Sequence, residues 1–215
     1  MNMVPNKKYR RSVFQVVLFF NLLIFACVSF ADEEQIQEIK YPIEKLHETL
    51  INMMVLSDST KFDKRYNFLK PTIVENFNIH LISKVILGRH WKTISKEEKD
   101  KFINLFNQLT IATYVSRFDS YKNQNFKNIS LQKLKKNRYL IKTEFVRPKE
   151  KSVSFDYIVQ KDKNGEKWRI ISVIAEGVND LSLKRAEYAS IIKKYGFDGL
   201  IAKFCLLYTS DAADE

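Results

Sequence analysis

Apolar residues recur at helical spacing through the first part of this chain and at strand spacing after Phe126, and that single change of period constrains the fold most. Helices gathered before strands predict an α+β domain rather than an alternating α/β one. Pro42 suits the first position of a helix, and Ile43, Leu46, Leu50, Met53 and Met54 follow at helical intervals. A second helical region begins near Phe62, and Pro71 is expected to divide it into two pieces joined near Leu69-Lys70. Phe77, Leu81, Ile82, Val85 and Ile86 continue the pattern as far as Gly88. Ser95 followed by Glu98 is a capping box opening a long helix. That helix carries two apolar stripes, Phe102, Leu105, Phe106 and Leu109 on one and Ile103, Ile111, Tyr114 and Phe118 on the other. A surface helix needs one. The plainer reading is a helix buried on both sides; the alternative puts one side against a ligand.

Beyond Phe126 the period is two. Ile129 and Leu131 begin a short strand, Tyr139 to Val146 and Val153 to Val159 alternate in character, and Asn164-Gly165 signals a hairpin into Trp168 to Ile174. Four antiparallel strands are the economical reading. The last third reads as a strand carrying a tryptophan, a turn at Gly177, and a helix returning over the sheet.

The two ends stand apart from the domain. Lys7, Lys8, Arg10 and Arg11 precede an apolar run from Val13 to Phe30, and Ser29-Phe30-Ala31 offers small residues just ahead of Asp32-Glu33-Glu34. Residues 1–31 are therefore expected to be a cleavable secretion signal. An uncleaved anchor and a lipoprotein acylated at Cys27 are the weaker alternatives; the bulky Phe25 argues against the second. Residues 205–215 resemble the in-frame translation of a sequencing adapter, which leaves 32–204 as one expected domain. That stretch holds no cysteine, since Cys27 and Cys205 both lie outside it, so a disulfide framework, a thiol nucleophile and a cysteine metal site are excluded there.

Little in the chain offers catalytic chemistry. His47, His80 and His90 form no paired metal-ligand spacing, and no nucleophile elbow, phosphate-binding loop or dinucleotide fingerprint occurs. Glu144 and Asp156 fall on strand faces opposite the large apolar residues, where an acid stays solvated rather than acquiring the raised pKa of an acid catalyst. The net charge of +11 raises nucleic acid as a partner, but Lys133, Lys135, Lys136 and Arg138 cluster at an expected turn with no interleaved aromatic platform. Attraction to anionic head groups or to an acidic partner is a better use of that charge. Sixteen Phe, ten Tyr and two Trp are a large aromatic endowment for one small domain and suggest an internal cavity.

Two further blocks stand out: Val85-Ile86-Leu87-Gly88-Arg89-His90-Trp91 with Ser95 to Glu98, Phe102, Phe106, Leu109 and Tyr114, and the run from Trp168 to Ile201. Together they resemble the MlaC, or toluene-tolerance, family of periplasmic lipid-binding proteins. Glu176-Gly177-Val178-Asn179-Asp180 through Arg185-Ala186-Glu187-Tyr188 departs from the main branch and is closer to the hopanoid-associated HpnM branch. The resemblance implies a non-enzymatic monomeric shuttle with no cofactor. It would carry a phospholipid or hopanoid between an outer-membrane lipoprotein complex and an inner-membrane ABC transporter, with transient membrane contact and no nucleic-acid partner. Each acyl methylene is worth about 0.8 kcal/mol, so exposing two tails to water costs roughly 20 kcal/mol or more. The fold expected is therefore a curved four-stranded antiparallel sheet wrapped by helices around an apolar lipid cavity. Expected tail contacts are Phe102, Phe106, Leu109, Tyr114, Phe145, Phe155, Tyr157 and Trp168. Arg89 and Arg185 are candidates for the head group or for structural ion pairs at helix ends.

Overall fold

The computed structural model describes residues 33–56 and 60–213, with side chains as far as Leu206. The expected signal segment lies outside the described residues. The chain divides into two units at residues 39 and 40. Of the first, residues 33–39 are described, as helix; the account below concerns the second.

In this unit helix α1 covers 40–56 and buries Ile43, Leu46, Leu50, Met53 and Met54, the residues its helical spacing singles out. Helix α2, Phe62–Asn76, is continuous through Pro71, which corrects the expected division at Leu69-Lys70. Proline removes one backbone bond to the residue four back. Here that residue is Asn67, and both Asn67 and Pro71 are exposed, so water can satisfy the freed carbonyl. Phe62, Leu69, Thr72 and Ile73 stay buried on the opposite side and hold the helix together. The break comes instead at Phe77, which leaves the helix to bridge Ile170, while the Asn78 N–H donates to the Ile170 carbonyl at 2.9 Å. Asn78 then caps helix α3, Ile79–Leu87, by accepting from the Leu81 N–H.

Gly88 ends α3 with φ of 54°, a conformation that disfavours a side chain. The Arg185 guanidinium lies over it, 3.2 Å from where a Cβ would stand. A 3₁₀ turn, Gly88–Lys92, leads to helix α4, Lys96–Arg117. Its capping box is formed: Ser95 Oγ accepts from the Glu98 N–H at 3.1 Å, and Glu98 Oε2 accepts from the Ser95 N–H at 2.7 Å. Ser95→Ala is expected to cost about 1 kcal/mol and to lower the melting temperature by roughly 2–4 °C in a domain of this size. A calorimetric scan showing no shift would refute this role for the cap.

The strands are β1 (Asn125–Lys135), β2 (Arg138–Val146), β3 (Val153–Lys161), β4 (Trp168–Ala175) and β5 (Val178–Asn179), paired in that order as an antiparallel meander. Among the described residues there are five strands, not the four expected. Glu176 and Gly177 both take positive φ, turning the chain so sharply that Val178 and Asn179 pair back onto Ala175 and Ile174. Two residues are too few to show a period. The first strand is also longer than the Ile129–Leu131 start suggests, because most of β1 is an exposed edge without clean alternation. Asn164-Gly165 lies in the turn from β3 to β4, closed by the Asp162 N–H donating to the Lys167 carbonyl at 2.8 Å.

Helix α5, Asp180–Ala213, is bent at Gly196, whose φ of 72° and ψ of 180° are not helical. Backbone helix runs through 205–213, within the segment 205–215 set apart in the sequence. Helix α4 packs against α2, α3 and α5. Phe102 is its most enclosed ring, with Phe106 stacked 5.8 Å away and Phe204 at 5.3 Å, and Tyr188 edge-on at 6.4 Å.

Candidate functional site

A cleft of about 380 Å³ opens between the inner face of the sheet and helices α3, α4 and α5. Strand pairing builds its sheet side. Phe145 lies opposite Val153, and Phe155 lies opposite Ala175, so all four project to one face. A β-bulge then re-aims β4: Ile158 pairs with Ser172 and Val159 with Ile170, which leaves Ile171 without a partner. As a result Ile171, Ser172 and Val173 all line the cleft, although simple alternation would divide them.

The helical side combines Ile79, Ile82 and Ile86 of α3 with Phe106, Leu109, Tyr114 and others of α4. Phe118, at the end of α4, meets Phe145 edge-on at 5.5 Å and Phe155 at 6.2 Å, closing an aromatic floor. Helix α4 draws its cleft residues from both apolar stripes, while Phe102, Ile111 and Ala112 are fully buried elsewhere on it. One helix thus serves a packed core and an open site.

The polar residues of the cleft are few. Thr110 and Thr113 hydroxyls donate back to the Phe106 and Leu109 carbonyls, each at 2.7 Å, so they present little unmet polarity. Ser172 Oγ bonds Asn179 Oδ1 at 3.3 Å, and the same oxygen caps the start of α5 by accepting from the Ser182 N–H. The charged lining residues are Arg117, Asp180 and Lys184, with Lys184 Nζ 3.4 Å from Asp180 Oδ1. Burial, and then the nearby Asp180 carboxylate, push the Tyr114 phenol well above its ordinary pKa, with Arg117 opposing. A cleft so lined offers apolar volume with a charged rim. Among the described residues no cluster of His, Cys, Asp and Glu could hold a metal ion.

Five of the eight residues expected at tails come together in this cleft: Phe106, Leu109, Tyr114, Phe145 and Phe155. The other three lie in the surrounding core. Phe102 sits in the α4–α5 aromatic cluster, Tyr157 bonds His47 at 3.1 Å, and Trp168 packs edge-on against Tyr139 at 5.4 Å. Arg89 and Arg185 are exposed and outside the cleft lining, and among the described residues neither forms an ion pair. Glu144 and Asp156 are half-exposed on the outer face of the sheet, across from Lys127 and Lys142 respectively. Lys133, Lys135 and Lys136 are exposed around the β1–β2 turn.

A family model described as MlaC protein matches residues 44–204. This chain belongs to the MlaC family. Among curated proteins it is 26% identical over 157 residues to the intermembrane phospholipid transport system binding protein MlaC of Haemophilus influenzae, covering 69% of this chain and 72% of that one. Among solved structures it resembles the phospholipid-binding protein from Ralstonia solanacearum in complex with a phospholipid, with a TM-score of 0.70 at 19% identity. That alignment covers 81% of this chain and 97% of the other, so the shared fold extends across nearly all of the neighbour. The first of these is a binding protein of a phospholipid transport system, and the second is a phospholipid-binding protein. Among the described residues no helix is long and apolar enough to cross a membrane.

Proposed function

We propose that this MlaC-family protein is a periplasmic carrier that holds a phospholipid in the sheet–helix cleft and ferries it between the outer and inner membranes for an ABC transport system. The observation that carries this reading is the cleft itself, an apolar volume of about 380 Å³ whose charges gather in one trio. Its size falls within the roughly 300–1,000 Å³ of small-molecule sites. Its lining suits acyl chains, whose transfer from water yields about 0.8 kcal/mol per methylene. A leader with a basic start and an apolar stretch supports export to the periplasm.

Native mass spectrometry of protein purified from the periplasm tests the reading. Bound lipid of phospholipid mass, and transfer of labelled phospholipid between vesicles, are the expected results. Protein that arrives empty and moves nothing would overturn the reading, in favour of a lipid-free adaptor docking a transporter or of an enzyme on a cone-shaped α+β fold. The hopanoid alternative rests on the segment from Glu176 to Tyr188. In the fold that segment supplies the β4–β5 turn, the short strand and the capped start of α5, so its sequence is also answerable to local geometry.

A further inference from the structure

The charges of the cleft are unevenly placed. Of its lining residues only three are charged: Arg117 in the last turn of α4, and Asp180 and Lys184 at the start of α5. Two helix ends from different parts of the chain therefore bring their charges to one opening. All three line the same cleft, and Lys184 Nζ stands 3.4 Å from Asp180 Oδ1. Arg117 and Asp180 are exposed and Lys184 half-buried, so the trio marks the mouth while the apolar residues make the interior. Lys184 is already engaged by Asp180. Arg117 makes no ion pair among the described residues, and the trio carries one net positive charge.

The geometry points to Arg117 and Lys184 as the site that holds the phosphodiester of the bound lipid, with Asp180 keeping Lys184 at the rim. This rests on the reading that the cleft holds a lipid, and it adds the head-group chemistry. A single negative phosphodiester balances the trio, and guanidinium and ammonium donors form charge-assisted bonds to its oxygens. A lipid with only hydroxyl groups at its polar end offers Arg117 neutral acceptors and no opposite charge. The mouth is exposed, so salt and solvent screen the attraction, and the discrimination is modest. About tenfold is the expected scale, the effect of one charge-assisted hydrogen bond partly screened. The hydroxyls deeper in the cleft add nothing to this choice, since Thr110 and Thr113 are spent on their own helix.

The test compares three lipids with the same tails, dioleoylphosphatidylglycerol, dioleoylphosphatidylethanolamine and dioleoylglycerol, offered to the delipidated protein and read by native mass spectrometry. The wild type is expected to load both phospholipids about tenfold more readily than dioleoylglycerol. In Arg117→Gln/Lys184→Gln that preference should fall toward unity, and in Arg117→Glu it should fall further, with thermal melts reporting that each variant is folded. Equal loading of all three lipids by the wild type, or an intact preference in folded variants, overturns the assignment. Displacement of phosphatidylglycerol by millimolar inorganic phosphate would mark a free-anion site and overturn it too. Failure to load any of the three lipids would refute the carrier reading along with it, and that outcome is distinct from loading without discrimination.

Discussion

Ala175→Trp should empty the cleft without unfolding the protein. Ala175 pairs with Phe155 across β3 and β4 and lines the cleft at a half-buried position, so a larger side chain there grows into the site rather than into a closed core. An indole in that place displaces roughly four methylenes of tail, and at about 0.8 kcal/mol each this removes ~3 kcal/mol of burial. The corresponding loss in lipid affinity is about a hundredfold. Ile174→Trp is the matched control, because Ile174 pairs with Asp156 and Asn179 on the register that faces the other way. Lipid occupancy by native mass spectrometry and transfer between vesicles are the readouts. Full occupancy in Ala175→Trp, with a melting temperature near that of the wild type, would show that tails do not lie along β4.

Five expected cleft residues could be found from the sequence because the cleft inherits the ordinary periods of its elements. Phe145 and Phe155 follow from strand alternation, and Phe106, Leu109 and Tyr114 from helical spacing. Periodicity gives the inner face but not depth along it. Phe102, Tyr157 and Trp168 satisfy the same criteria of size and face, yet Phe102 is sealed by Phe204 and Tyr188, and Tyr157 by His47. Those partners lie about a hundred residues away, beyond any local pattern. The bulge that turns Ile171, Ser172 and Val173 into the cleft leaves no sequence mark, since it depends on how β4 meets β3. Arg117, Asp180 and Lys184 look like any solvated charges until the ends of α4 and α5 converge. The continuity of α2 through Pro71 is a case of tertiary packing outweighing a local breaker, with Leu69 and Ile73 buried on either side of it.

A second large effect is expected from acid. His47 of α1 is buried, its ring stacked on Phe126 of β1 with centroids 3.8 Å apart and its Nε2 3.1 Å from the Tyr157 hydroxyl of β3. Burial alone lowers its pKa from 6.5 to about 3, with no carboxylate opposing the shift. The Tyr157 phenol is itself pushed far up by burial and stays protonated, so no anion is available to stabilise an imidazolium. Below pH 6.5 the unfolded chain protonates this ring while the folded one keeps it neutral. The unfolded state then binds more protons, and stability falls as the pH drops from about 6.5 toward about 3. The slope approaches about 1.4 kcal/mol per pH unit, giving a loss of about 2 kcal/mol by pH 5. Urea titrations between pH 7 and pH 5 isolate the effect, because most carboxylates titrate below that window. His47→Gln keeps a hydrogen-bonding group beside Tyr157 but has nothing to protonate, so its stability should change little over the same range. Equal pH slopes for wild type and variant would mean that the ring is neither so dry nor so firmly packed between α1 and the sheet. A steeper slope in the wild type would identify His47 as the group through which mild acid loosens the clasp of α1 on β1 and β3.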